Sequence, residues 1–142
     1  MKAVYYEEFG SADILKLGEQ PKPEPGPDQV LVKVAATSVN PIDRRLRSGE
    51  LKDFFQYSWP VIPGWDVAGR SEAVGEDVED FQVGDDGVGL GFTWSVGPGA
   101  YAEYMAIDET AIAKKPANLS WHEAASLPLV NLTAWQSLNE SY

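Results

Sequence analysis

The sequence predicts a mainly β, barrel-like domain with short helices and a helical exit towards its C-terminal end. Three observations carry that expectation. Most segments alternate apolar and polar residues with period two, Pro- and Gly-rich connectors separate them, and convincing helix-start signals gather late in the chain. At 142 residues the chain is one domain by size. A domain of that length buries about 68–70% of its unfolded surface, enough for a real core.

Taken in order, residues 1–6 open as a short strand and residues 13–19 follow as a second. Pro21, Pro23, Pro25, Gly26 and Pro27 then form an exposed connector, because proline donates nothing to a ladder. Residues 29–37 are the clearest strand, with Val30, Val32 and Val34 on one face and Leu31, Lys33 and Ala35 on the other. Residues 38–43 turn out of it. Pro41 suits the first turn of a short helix running through Arg47, and Gly49 stops it. Residues 64–75 read as another strand closed by the turn Gly75-Glu76-Asp77. Residues 83–88 turn into a short strand, and residues 99–107 read as one long strand. Ser120-Trp121-His122-Glu123 is a capping box. Pro128 ends that helix and starts another, in which Leu129, Leu132, Trp135 and Leu138 recur at helical spacing. Trp121 and Trp135 are assigned to packing.

Composition excludes more than it selects. Net charge is −11, a surface that repels nucleic-acid backbones and anionic membranes. There is no cysteine and a single histidine, His122, so disulfides, cysteine nucleophiles and thiolate zinc sites are ruled out. A triad or metal centre would have to rest on His122 alone and is rejected. The N-terminus lacks a signal peptide's apolar stretch, and no run approaches the roughly 18 apolar residues of a membrane span. The expected location is the cytoplasm. Gly97-Pro98-Gly99-Ala100-Tyr101-Ala102 satisfies the dinucleotide pattern G-x-G-x-x-A but precedes a strand instead of opening a helix, so it reads as a turn. Residues 84–91 are glycine-rich yet lack the lysine of a P-loop. Arg44, Arg45 and Arg47, beside Asp43, are either a solvated helix face or a phosphate-binding group, and the residues alone leave both open.

The order of motifs is more specific than any one of them. Val39-Asn40-Pro41-Ile42-Asp43 is followed by Pro63-Gly64-Trp65-Asp66-Val67-Ala68-Gly69, Ala73-Val74-Gly75 and Val83-Gly84-Asp85. Gly99-Ala100-Tyr101-Ala102-Glu103-Tyr104, Glu123-Ala124-Ala125-Ser126-Leu127-Pro128 and Leu132-Thr133-Ala134-Trp135 come after them. This succession resembles the N-terminal catalytic domain of medium-chain dehydrogenases/reductases, in the zinc-independent quinone oxidoreductase branch. The resemblance spans essentially the whole chain and implies a GroES-like, partly closed β-barrel over residues 1–142. Zinc-dependent relatives carry a cysteine near the position of Asn40 and Gly-His-Glu where this chain has Gly64-Trp65-Asp66, so the resemblance implies no zinc.

The implied chemistry is hydride transfer from NADPH to a quinone or activated alkene. By similarity, Asn40 sits at the nicotinamide or substrate end of the cleft and Thr133 on the nicotinamide side. Arg45 falls where relatives often have a tyrosine near the substrate. Tyr57, Trp59, Trp65 and Phe92 lie, with Phe54, Phe55 and Trp94, in segments that line the family's cleft. Asp86-Gly87 and Arg70 depart from the family pattern, Gly87 being expected to weaken its strand, and residues 50–58 match no pattern that reveals substrate choice. Residues 129–138 resemble the helix leading into the Rossmann domain, which is expected to be absent from this chain. Two readings follow. One is the catalytic portion of such a reductase, inactive alone. The other is a free-standing GroES-like module that binds a protein or small ligand without turnover. The first carries an expectation of self-association through the C-terminal helical surface, or of a partner chain carrying the Rossmann domain.

Overall fold

The computed structural model describes residues 1–139. A five-stranded antiparallel sheet is its frame, in the order β8 (Tyr104–Asp108), β3 (Gln29–Ala36), β5 (Asp66–Val74), β6 (Asp86–Leu90), β9 (Ile112–Lys114). The sheet curls into a half-barrel. A ribbon of β1 (Lys2–Tyr5) and β2 (Lys16–Glu19) lies beside it, and β4 (Gln56–Tyr57) pairs in parallel with β7 (Ser95–Val96). Three helices complete the described residues: α1 (Pro41–Arg47), α2 (Trp121–Ala125) and α3 (Pro128–Asn139). The mainly β, barrel-like expectation is met.

The long valine run makes the sheet's inner face. Val30 and Val32 of β3 and Val67 of β5 are fully buried, packed with Phe81, Met105, Ile107 and Ile112. A second core of Tyr6, Leu46, Val61, Trp65 and Val96 lies between α1 and the β4/β7 pair. Under α2 the contact is made by Ala68, Ala124 and Ala125, whose small side chains let helix and strand approach closely. A Cβ on Gly87 would stand 2.6 Å from the Ile112 side chain, so glycine gives that residue its place in the core.

Boundaries differ from expectation in two places. Residues 12–14 form a 3-10 turn, and only Lys16–Glu19 pairs as β2. The long strand over 99–107 is shortened to β8, because the chain before it pairs elsewhere. Ala100 N–H and Tyr101 N–H go to the carbonyls of Gly64 and Pro63, and the Tyr101 carbonyl accepts from Val4. The G-x-G-x-x-A match at 97–102 opens no helix, in keeping with its reading as a turn.

The helix signals hold. Ser120 and Glu123 exchange the two bonds of a capping box before α2. In α3 the three-residue spacing of Leu129, Leu132, Trp135 and Leu138 drifts about 60° backwards at each step. The row therefore rotates off the barrel. Leu129 is half-buried, Leu132 is 44% exposed, Trp135 65% and Leu138 84%. Trp121 packs against the core under α2, whereas Trp135 does not pack as assigned: the drift carries it outwards. None of the described helices is long and apolar enough to cross a membrane.

Gly64 gives the sharpest local test. Its φ is +92°, and an added Cβ would collide with the Tyr101 ring. Gly64→Ala is expected to destabilise the domain by about 2–3 kcal/mol, read as a lowered urea midpoint with an unchanged m-value. A loss below 0.5 kcal/mol, on the order of a neutral surface substitution, would show that the ring and backbone give way freely.

Candidate functional site

The site is built on a carboxylate at the start of β5. Asp66 is fully buried. Its Oδ2 accepts from Asn40 Nδ2 at 2.8 Å and from the Ser38 hydroxyl, and its Oδ1 accepts from the Leu129 backbone N–H at 2.8 Å. Thr37 Oγ1 adds a 2.7 Å bond to the Asp66 carbonyl. A buried carboxylate costs several kcal/mol unless donors replace its water, and here three do. Asp66 thereby joins the loop before α1, strand β5 and the first turn of α3.

Asn40 is the residue before α1, in extended backbone (φ −121°, ψ 157°), with Pro41 following at the first helical position. Its Nδ2 donates towards Asp66 Oδ2 at 2.8 Å and lies 3.0 Å from Ser38 Oγ, two acceptors that are themselves hydrogen-bonded and close enough to share one amide hydrogen. Its Oδ1 sits over the first turn as in a capping box yet makes no hydrogen bond there. The Asp43 N–H goes to the Asn40 carbonyl instead, at 3.0 Å. Since a carboxylate only accepts, the amide's orientation is determined by its partners.

Asp43 locks the same corner. Its Oδ2 accepts from Asn40 N–H at 2.7 Å and from the Tyr101 hydroxyl at 3.3 Å, and its Oδ1 from Gly64 N–H at 3.2 Å. Burial pushes the Asp43 carboxyl above the usual range, with the nearby Asp66 charge adding to it, while the three hydrogen bonds pull the other way. The Tyr101 phenol is likewise raised, first by burial and then by the Asp43 charge.

Thr133 stands one turn along α3 from Leu129, exposed, and its hydroxyl donates to the Leu129 carbonyl at 2.7 Å. The structure thus links Asn40 to Thr133 in three steps, through Asp66 and Leu129. Arg45 is elsewhere, on the outer flank of α1, where it and Arg44 face Glu50 at 3.5 and 2.6 Å. Both are the solvated alternative of the basic cluster.

The aromatic residues divide into two groups. Tyr57 and Trp59 stack on each other, with Phe9 edge-on to both. Trp65 and Phe92 belong to a second set, in which Phe55 stacks on Trp94 at 5.5 Å and Phe92 meets Trp65 edge-on at 5.0 Å. The Trp94 indole is 69% exposed. Phe92 also closes one end of an open apolar groove of about 770 Å3 between the β6–β9 edge and α3, where Leu90, Pro128, Leu132 and Trp135 line it. Thr133 is not among the groove's lining residues. Within the described residues no three His, Cys, Asp or Glu side chains form a group able to hold a metal ion.

Sequence reasoning missed Asp66, Asp43, Ser38 and Tyr101 as members of this site. One signal was available: Asp66 is the lone charge in the otherwise apolar run of residues 61–69. A carboxylate there has to be paired inside the fold.

Asp43→Asn replaces an acceptor oxygen with a donor and leaves Asn40 N–H or Gly64 N–H unpaired, at a cost of about 1–3 kcal/mol. The pH dependence has a definite sign. With its folded pKa raised, wild-type Asp43 keeps its proton when the unfolded chain has already lost it, so stability falls as pH rises from near 3.8 through the folded value. The urea-midpoint advantage of wild type over Asp43→Asn should therefore shrink with rising pH across that window. An advantage that grows would refute the burial effect.

Comparison with known proteins agrees with this geometry. Residues 26–117 match the family described as alcohol dehydrogenase GroES-like domain. The chain is 40% identical, over 99% of its length, to a 2-methylene-furan-3-one reductase of Solanum lycopersicum, and spans 37% of that protein. It superposes on the quinone oxidoreductase from Coxiella burnetii with TM-score 0.88 and 39% identity, covering 99% of this chain and 44% of that one. For the Escherichia coli quinone oxidoreductase complexed with NADPH the TM-score is 0.88 at 27% identity, covering 100% and 41%. The chain therefore spans less than half the length of these relatives. The chain belongs to the alcohol dehydrogenase GroES-like domain family, in the zinc-independent quinone oxidoreductase-like branch of the medium-chain dehydrogenases/reductases.

Proposed function

We propose that this chain supplies the substrate-facing and nicotinamide-facing portion of an NADPH-dependent reductase of quinones or activated alkenes. The observation that carries this reading is the Asp66 link, which holds Asn40 and the helix of Thr133 as one unit. The residues fit the nicotinamide end of the cofactor: Asn40 retains an amide oxygen as acceptor, beside a small cleft it shares with Asp43 and Tyr101. When bound, the reduced nicotinamide supplies a hydride to the electrophilic carbon, and a proton from solvent completes the reduction. The chain's part is orientation and exclusion of water. Asn40 is held by Asp66, and in the cluster of Phe55, Trp65, Phe92 and Trp94 the exposed Phe92 and Trp94 rings offer apolar surface to a substrate ring. Tyr57 and Trp59 make a second aromatic wall. The donor to a substrate oxygen is not Thr133, whose hydroxyl hydrogen is on the Leu129 carbonyl.

The adenosine and pyrophosphate need a site of their own, and most cofactor affinity goes with it. The α3 surface at Leu132 and Trp135 is the place for a nucleotide-binding domain, on a partner chain or in the same protein, or for a second copy. The alternative reading, a GroES-like binding module without turnover, draws on the open apolar groove beside α3.

A purified 142-residue chain is expected to show no saturable NADPH binding up to millimolar and no quinone turnover. Fused after α3 to a relative's nucleotide-binding domain, it is expected to reduce quinones or enones, and Asn40→Ala to lower kcat/KM about tenfold, the equivalent of about 1.4 kcal/mol. A folded fusion that binds NADPH but reduces neither substrate class would favour the binding-module reading.

A further inference from the structure

We propose that the outer face of the sheet carries a binding groove for aromatic monocarboxylates, in which Lys33 and Arg70 hold the carboxylate beside the Trp121 ring. The starting point is a row of register partners. Tyr104 of β8 lies opposite Lys33 of β3, Lys33 opposite Arg70 of β5, and Arg70 opposite Asp86 of β6. Partners across antiparallel strands share a face, and like charges set opposite each other weaken a pair. This chain nevertheless places two cations side by side, while carrying 22 acidic residues against 11 basic ones. Only one of the two cations is answered. Arg70 Nε donates to Asp86 Oδ1 at 2.8 Å, whereas Lys33 makes no ion pair and no side-chain hydrogen bond among the described residues. Glu72, the other acid at the groove, is held by Lys22 at 3.3 Å. One positive charge is left over, enough for one monoanion. Arg70 spends only its Nε hydrogen on Asp86, so its Nη hydrogens remain available to a carboxylate.

These charges line an open groove of about 540 Å3, together with Val83, Gly84 and Trp121. Val83 is 64% exposed and Trp121 half-buried, so an apolar ring placed there covers surface that now faces water. Lys115 stands 5.1 Å from the Trp121 ring centre, but its ammonium is tied to the Leu119 carbonyl and it does not line the groove. Arg70 and Asp86 are two of the places where the chain departs from its family's pattern, and both stand in this row. None of the groove's lining residues lines the cleft at Asn40, so the site stands independently of the reductase reading.

The probes are naphthoate, its neutral analogue naphthylmethanol and inorganic phosphate, each titrated to millimolar concentration into the 15N-labelled chain and followed by nuclear magnetic resonance. Naphthoate is expected to shift the Trp121 indole and the Lys33 and Arg70 backbone amides saturably, and to bind less tightly as salt rises, because exposed charges are screened. Lys33→Gln and Arg70→Gln are each expected to weaken naphthoate binding about fivefold, on the order of one exposed ion pair. Lys52→Gln, outside the groove, is expected to leave binding unchanged. Lys33→Gln is also expected to keep or raise the urea midpoint, since it removes a like-charge neighbour. A lowered midpoint would give Lys33 a structural task and overturn the assignment. Equal binding of the acid and the alcohol overturns the role of the carboxylate. Phosphate that shifts the same residues as tightly as naphthoate overturns the role of the ring. Naphthoate shifts confined to Phe92 and Trp94, or no saturable shift at all, overturn the site.

Discussion

A carboxylate with no water around it is the constraint from which the rest of this structure follows. Asp66 is unstable in the interior unless three donors are brought to it, and those donors lie on the 38–40 loop and at the head of α3. Satisfying it fixes where β3 hands over to α1 and where α3 leaves the barrel. The neighbouring corner repeats the principle with Asp43, which gathers Asn40, Gly64 and Tyr101. Two buried acids stand in one small region, and among the described residues no lysine or arginine bonds to either. Backbone and neutral side-chain donors carry the compensation, so the region is held by geometry more than by opposite charges.

The packing around this corner is graded by size. Valines fill the inside of the curled sheet, alanines let α2 lie close to β5, and the large rings sit towards the loops. The short parallel pair of β4 and β7 ties residues 56–57 to 95–96, and those two loops bring Phe55 against Trp94. An edge-to-face aromatic cluster is thus built from loop residues, with Trp65 reaching into the second core.

Much of the fold was legible because its signals are local. Pro41 at the first position of α1, Gly49 after it, the Ser120–Glu123 box and the alternation of residues 29–37 each act within a few residues. Residues 99–107 were misjudged because their alternation is real but their partners are not all in the main sheet. Residues 99–103 bond to the segments around Pro63 and Val4, and pairing choice is a tertiary matter. The two-residue strands β4 and β7 are too short to leave a pattern. In the site, Asn40 and Thr133 came from the order of family motifs, whereas what joins them, Asp66, is separated from Asn40 by 26 positions and from Leu129 by 63. Arg45 followed a positional analogy, and it stands on the exposed flank of α1, 3.5 Å from Glu50. Contacts of that range are set by the barrel's closure, which periodicity does not encode.

The outer part of α3 has a colloidal consequence. Pro128–Asn139 contains no charged residue, although the whole chain carries −11 at neutral pH. Repulsion that keeps copies apart comes from the sheet and its loops, and this helix has none of its own. As carboxylates are neutralised towards pH of about 4, that repulsion fades while the apolar helix surface stays as it was. Acid should therefore precipitate this protein by way of one helix before it unfolds the barrel.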